Sequence, residues 1–154
     1  MTPLPLRILY ETDNFIVFVP KKPHIDRKDG GHIIVSPKQQ VSNRTMLDWG
    51  RAQELMKLTM ITGKVMENIL PKCGIDLGRI NYQENGNWNP ALHHHLYGRA
   101  RSAIKQPFGH SLHFPKPDTG FYDDNLPLSE EDCDLLSAEI DRLIKEGYPI
   151  AITR

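Results

Sequence analysis

Two short apolar runs rich in strand-forming residues, Leu6 to Tyr10 and Phe15 to Val19, open the chain, and the polar stretch Glu11 to Asn14 between them has turn chemistry. The pattern predicts a β-hairpin. Pro20 to Gly31 is polar, holds two prolines and ends in a Gly-Gly pair, so it reads as a loop. His32 to Ser36 is a further strand, stopped by Pro37. The periodicity then changes. From Thr45 to Leu70 the apolar positions Leu47, Leu55, Leu58, Ile61, Val65 and Ile69 recur at helical spacings, which predicts one long amphipathic helix. Ser42 or Asn43 would cap its start, and Pro71 with Gly74 would end it. The methionines 46, 56, 60 and 66 read as packing residues of that helix. Residues 79–83 and 91–97 read as two strands around the polar loop Glu84 to Pro90. Residues 100–128 are punctuated by prolines and show little periodicity. Ser129, with Asp132 three residues on, forms a capping box for a last helix over about 130–146. Its apolar stripe is Leu136, Ile140, Leu143 and Ile144, and Gly147 is its stop.

These elements predict an α+β fold: an antiparallel sheet with one long helix and a C-terminal helix. The 154 residues suffice for one domain with a full core, and we expect residues 1–154 to form a single unit.

Composition narrows the function classes. Lysine plus arginine total 19 and aspartate plus glutamate total 19, so no global charge points to nucleic acid or to a membrane surface. No apolar run is long enough to span a bilayer, and the N-terminus lacks the pattern of a secretory signal. Two distant cysteines, Cys73 and Cys133, make neither a disulfide framework nor a zinc knuckle. They read as free thiols in a reducing cytoplasm.

The chemistry concentrates in ALHHHLYGRA, residues 91–100. Side chains on a strand alternate between faces, so His93 and His95 point one way, about 7 Å apart by the strand rise, and His94 points the other. Ala91 and Tyr97 share the face of the pair. A neutral imidazole serves as base, acid, metal ligand or nucleophile toward phosphorus. A nucleophilic imidazole needs one bare nitrogen and an acceptor for the proton on the other; a neighbouring backbone carbonyl can supply it. Upstream, NYQENGNWNP (81–90) is a glycine-containing polar loop whose amides could surround an anion. Downstream, Gly98 and Arg99 could sit beside the same anion. His110 and His113 form an H-x-x-H pair that a metal could use, but no carboxylate or cysteine pattern accompanies it.

Together these stretches resemble the histidine triad family of nucleotide hydrolases and transferases, whose pattern is H-φ-H-φ-H-φ-φ with φ apolar. The match is Ala91-Leu92-His93-His94-His95-Leu96-Tyr97, supported by FIVFVPKKPHIDRKDGGHIIVSPKQQV and GIDLGRINYQENGNWNP. It covers roughly residues 7–100, leaving 101–154 as an extension. The resemblance implies that His93 is the covalent nucleophile toward an α-phosphate, that His95 contacts the phosphate, and that His32 joins the network. It places Asn81, Gly86 and Trp88 in nucleotide binding, with His24 and Ile25 beside ribose and base; Arg99, which follows the triad, could reach a polyphosphate from its own position. It implies a nucleotide or nucleotide-conjugate substrate, a homodimer pairing the long helices and adjoining strands, and neither metal nor cofactor. No nucleic acid or membrane partner is expected, and the location is cytoplasmic.

Two departures stand out. Ala91 occupies the first histidine position, yet it retains the backbone carbonyl that orients the nucleophile. Trp88 stands where several members have a serine near the leaving group; an indole donates one hydrogen bond but relays no proton. The leading expectation is a hydrolase or nucleotidyl transferase that forms a nucleotidyl-histidine from phosphoesters, phosphoramidates or dinucleoside polyphosphates. The alternatives are a nucleotide-binding module with little turnover and a histidine metal site.

Overall fold

The computed structural model describes residues 3–148. Its five strands form one antiparallel sheet: β1 (Pro5–Glu11), β2 (Phe15–Pro20), β3 (His32–Pro37), β4 (Leu77–Gln83) and β5 (His94–Ala100), in the spatial order β1-β2-β3-β5-β4. The helices are α1 (Trp49–Ile69) and α2 (Glu130–Lys145). The expected α+β fold is present.

The first turn is built by Thr12, whose hydroxyl accepts the N–H groups of Asn14 and Phe15 and closes the β1–β2 hairpin. The long helix begins four residues later than its pattern predicts. Asn43 caps a separate helical turn at Arg44–Met46, and Asp48 caps α1 itself by accepting the Arg51 N–H. Leu47, between the two, is extended, so one continuous helix from Thr45 is excluded. Ser129 and Asp132 form the capping box of α2 with both reciprocal bonds in place. Asp132 also takes two hydrogen bonds from Arg27, at 2.6 and 2.9 Å, and so ties the start of α2 to the loop before β3.

Both helices pack on one face of the sheet. Leu55, Leu58, Ile61, Val65 and Ile69 of α1 meet Val17, Val19, Ile33, Val35, Leu92 and Leu96, while Leu136, Ile140 and Leu143 of α2 close the cluster over Leu9. The methionines divide: Met66 is buried, but Met56 and Met60 are exposed on the outer side of α1, together with Trp49, and Met46 is exposed on the turn before it. That side is a surface, not packing.

The opposite face of the sheet carries His32, His93, His95 and Tyr97. Residues 101–128, without regular structure beyond one short helical turn at Pro117–Thr119, are held to this side by specific bonds. The buried carboxylate of Asp29 accepts three successive backbone N–H groups, from Ile104, Lys105 and Gln106, at 2.9–3.0 Å. Gln106 clasps both the N–H and the carbonyl of His113. Asn125 donates to the carbonyls of Pro23 and His24. Where the loop before β3 crosses β5, Gly30 lies against Gly98 so closely that a Cβ on Gly98 would sit 1.9 Å from the Gly30 carbonyl oxygen.

Candidate active site

The final strand is displaced from its expected span of 91–97. It begins at His94 and continues to Ala100, because the chain before it is held elsewhere: the Ala91 N–H bonds the Asn89 side chain, and the Leu92 N–H bonds the Val41 carbonyl. His93 therefore stands just ahead of the strand. The face assignment holds. His93 and His95 are neighbours with ring centroids 4.5 Å apart and nearly perpendicular planes. His94 points to the α1 side, lining a groove with Thr45, Trp49 and Met56.

Registers place the other side chains. His32 pairs with Tyr97, and Tyr97 with Asn81, so these three share the histidine face. His95 pairs with Ile34 on one side and Gln83 on the other.

Proton positions follow from partners that have only one role. The Ala91 carbonyl can only accept, and it lies 2.6 Å from His93 Nδ1. His93 therefore carries its proton on Nδ1 and, when neutral, a bare lone pair on Nε2. The His24 backbone N–H can only donate, and it meets His32 Nδ1 at 3.1 Å. A neutral His32 then holds its proton on Nε2, which lies 2.8 Å from His95 Nδ1. His95 Nδ1 must accept, leaving the His95 proton on Nε2. Burial holds His32 well below the usual imidazole range and takes His95 down to about 2, so both are neutral at pH 7. A neutral His93 thus turns its lone pair on Nε2 toward the side where His95 carries an N–H donor.

His24 closes the far side. Its ring lies among His32, Trp88, His95, Tyr97, Phe114 and Tyr122, with centroid distances of 5.0–5.9 Å. Its Nδ1 is 2.8 Å from the Tyr97 hydroxyl, and burial lowers its pKa to about 4.

A cleft of about 280 Å³ opens over these groups, lined by His24, His93, His95, Phe114 and the loop residues Asn85 to Asn89. Gly86 in that loop has φ +63°, a conformation that favours glycine. Of the residues singled out in the sequence, the cleft unites His24, Gly86, Trp88, His93 and His95. His32 is fully buried behind them. Asn81 and Arg99 lie together but in an adjoining cleft, joined by a 2.7 Å hydrogen bond. Ile25 is a correction: it is completely buried, because residues 125–126 cover its loop through the Asn125 bonds and the Arg27 N–H to Leu126 carbonyl bond. It offers no surface to a ligand.

Three residues of the site were not singled out as such in the sequence. Tyr97 was legible only as a face-mate of the histidine pair. Phe114 and Tyr122 come from the aperiodic extension, where no local signal marks them.

His24, His32 and His95 bring ring nitrogens within 4.8 Å of one another, a donor set a metal could use. Both His32 nitrogens are already engaged, as are His24 Nδ1 and His95 Nδ1. A metal would have to displace part of this hydrogen-bonded chain. His110 and His113 belong to no such group among the described residues.

Comparison with known proteins agrees with the geometry. Residues 2–102 match the HIT domain family. A histidine triad protein from Marinobacter aquaeolei VT8 superposes with TM-score 0.62 at 18% identity, covering 91% of this chain and 89% of that one. A hypothetical histidine triad nucleotide-binding protein from Sulfolobus tokodaii strain7 gives TM-score 0.61 at 16% identity, with coverages of 94% and 91%. A uridylyltransferase mutant gives TM-score 0.53 at 19% identity, covering 88% of this chain but 43% of that one. At these identities the likeness is one of fold. No protein of curated function matches the sequence significantly.

Proposed function

Because the chain belongs to the HIT domain family, we propose that it is a nucleotide-binding hydrolase or nucleotidyl transferase acting through a nucleotidyl-histidine on His93. The observation that carries this reading is the 2.6 Å bond from His93 Nδ1 to the Ala91 carbonyl. In the neutral ring it puts the lone pair on Nε2, in a cleft beside an N–H donor.

Nucleotidyl transfer requires in-line attack and stabilised phosphate oxygens. His93 Nε2 attacks phosphorus, a P–N bond forms, and the bond to the leaving group breaks with its electron pair. The ring becomes cationic, and the Ala91 carbonyl on Nδ1–H stabilises that charge. His95 Nε2–H donates to a phosphate oxygen, held in that tautomer by His32. Water then attacks the same phosphorus and loses a proton to solvent, and the P–N pair returns to Nε2. Ala91 occupies the first triad position in this reading, and the orienting acceptor is backbone, so the histidine is dispensable there. Gly86, Trp88 and His24 border the nucleotide. The extension 101–154 acts with the HIT core as one unit.

The groove beside α1 supports a homodimer. Trp49 and Met56 line it and are exposed, Met60 of α1 and Tyr82 of β4 are exposed as well, and β4 is a sheet edge. Light scattering on the purified protein would give the mass of two chains, and Met56→Glu would reduce it to one. Among the described residues no helix is long and apolar enough to cross a membrane, and both cysteines are free.

The test is release of a nucleoside monophosphate from a panel of phosphoramidates and dinucleoside polyphosphates. Turnover abolished by His93→Ala supports the reading. Nucleotide binding without release, unaffected by that substitution, would favour a binding module instead.

A further inference from the structure

The extension after β5 closes one side of the histidine site and builds the other. On the closed side, Asn125 and Leu126 bond the loop at Ile25, whose side chain is completely buried. On the other side Arg99 acts as a clamp. Its guanidinium donates to the carbonyls of Pro107 and His110 at 3.0 and 2.8 Å, and to the Asn81 side chain of β4 at 2.7 Å. Phe108 packs on β4 at Gly78, where a Cβ would lie 2.6 Å from the ring, and Arg101 stands 5.9 Å from the ring centroid. The result is a cleft of about 540 Å³ over β4, with Phe114 as the wall it shares with the histidine cleft.

This cleft suits a planar ring with polar edges. Strand pairing sets Gln83 beside His95, Asn81 beside Tyr97 and Arg79 beside Arg99, so β4 presents Arg79, Asn81 and Gln83 on the histidine face. All three line the cleft, and Phe108 and Phe114 add aromatic rings. An arginine only donates, so Asn81 turns its carbonyl oxygen to Arg99 and keeps its NH2 group as a donor. Gln83 brings a second amide, able to donate and to accept. Aromatic faces beside a few fixed amides are how proteins hold nucleobases: the ring stacks, and hydrogen bonds read its edge. Size agrees. Small-molecule clefts measure roughly 300–1,000 Å³. The histidine cleft, about 280 Å³, falls just below that range, and its neighbour lies inside it.

We infer that the cleft over β4 is the nucleobase subsite, where the base stacks on Phe114 and its edge meets the Asn81 and Gln83 amides. This rests on the phosphate of the same nucleotide lying at His93 and His95. The base then lies on the β4 side of the histidine pair, not over the loop at Ile25, where the resemblance to the histidine triad family puts it. Phe108 and Phe114 stand beyond residues 2–102 of the family match, so the choice of base belongs in part to the extension.

The test is calorimetry on the full-length protein with AMP, GMP, CMP, UMP and ribose 5-phosphate, the last keeping sugar and phosphate without a base. The tightest nucleotide is expected to bind at least about tenfold more tightly than ribose 5-phosphate, the scale of one stacked base. Phe114→Leu removes most of that advantage, and Gln83→Ala reduces it about fivefold, as one lost hydrogen bond does. Ribose 5-phosphate binds Gln83→Ala as it binds the wild type. Gln83 is half-buried on an edge strand, so its variant reads the cleft even where Phe114→Leu disturbs the extension. Nucleotides that bind no more tightly than ribose 5-phosphate overturn the inference, as does an advantage that survives both variants; its loss in Trp88→Leu would then place the base over the histidine cleft. Either outcome leaves the chemistry proposed for His93 standing. A base advantage lost in both cleft variants, with no turnover of any nucleotide conjugate, keeps the subsite and overturns the catalytic reading. Failure of every probe to bind overturns both.

Discussion

His93 Nδ1 lies 2.6 Å from the carbonyl oxygen of Ala91, two residues earlier in the chain. The acceptor is backbone, so the tautomer of the His93 ring does not depend on what side chain stands at position 91. The carbonyl is fixed in turn by the Ala91 N–H to Asn89 bond and the Leu92 N–H to Val41 bond.

Ala91→Gly should therefore keep the rate of adduct formation within about threefold of wild type, since a backbone hydrogen bond survives the substitution. Asn89→Ala, which frees the Ala91 N–H, should slow it by about tenfold, the scale of one lost orienting hydrogen bond. Rapid-quench kinetics on the two variants checks this. The reverse order of effects would locate the orienting group in the side chain.

Stability should fall on mild acidification. His95 is held at about 2, His24 at about 4, and His32 well below the usual range, all chiefly by burial. An unfolded imidazole takes up a proton near pH 6.5, which the folded protein refuses. Each such group leaves its full contribution intact above about pH 6.5 and loses about 1.4 kcal/mol per pH unit below it, toward its folded value. Asp132 and Glu139, both held at about 2, add their own losses only below about pH 4.5. Urea denaturation at pH 7.5 and pH 5 isolates the histidines. A flat profile across that window would contradict buried neutral imidazoles.

Asp29 anchors the extension by accepting three backbone N–H groups. Asp29→Ala should release residues 104–106, because bonds to a charged acceptor contribute about 1.5–3 kcal/mol each. Limited trypsinolysis after Arg101 and Lys105 should accelerate by about tenfold or more, in line with that loss. Unchanged cleavage would mean that packing, not Asp29, holds the segment.

Gly98→Ala should lower the urea midpoint strongly, by at least about 2 kcal/mol of stability, because the new methyl meets the Gly30 backbone and not a side chain that can swing away. The conservative control is Gly109→Ala. That glycine meets nothing within 4 Å, but its φ of +85° makes a smaller backbone cost of about 1 kcal/mol expected.

Much of this architecture was legible in the residues. The hairpin, the capping box at Ser129 and the apolar stripe of α1 are local patterns, and their physics is local. The opposition of His94 to His93 and His95 follows from the pleat alone. What stayed hidden depends on distant partners. Residues 101–128 have no periodicity because Asp29, Gln106 and Asn125 order them through side chain to backbone bonds, none of which leaves a repeating mark in sequence. The start of β5 moved because Val41, about a third of the chain away, captures the Leu92 N–H. Ile25 looked like a ligand contact until the extension that covers it was placed. Arg99 was visible as a cation beside the triad, but not as a buried one without a counter-ion.

The central claim is that His93 becomes covalently attached to a nucleotidyl group. Intact-mass analysis under acid-free quench, seconds after mixing with a dinucleoside polyphosphate, tests it most directly. The account predicts a species heavier by one nucleotidyl group in the wild type and its complete absence in His93→Ala. Turnover of the same compound by wild type with no adduct at any time, or an adduct that persists in His93→Ala, would contradict it.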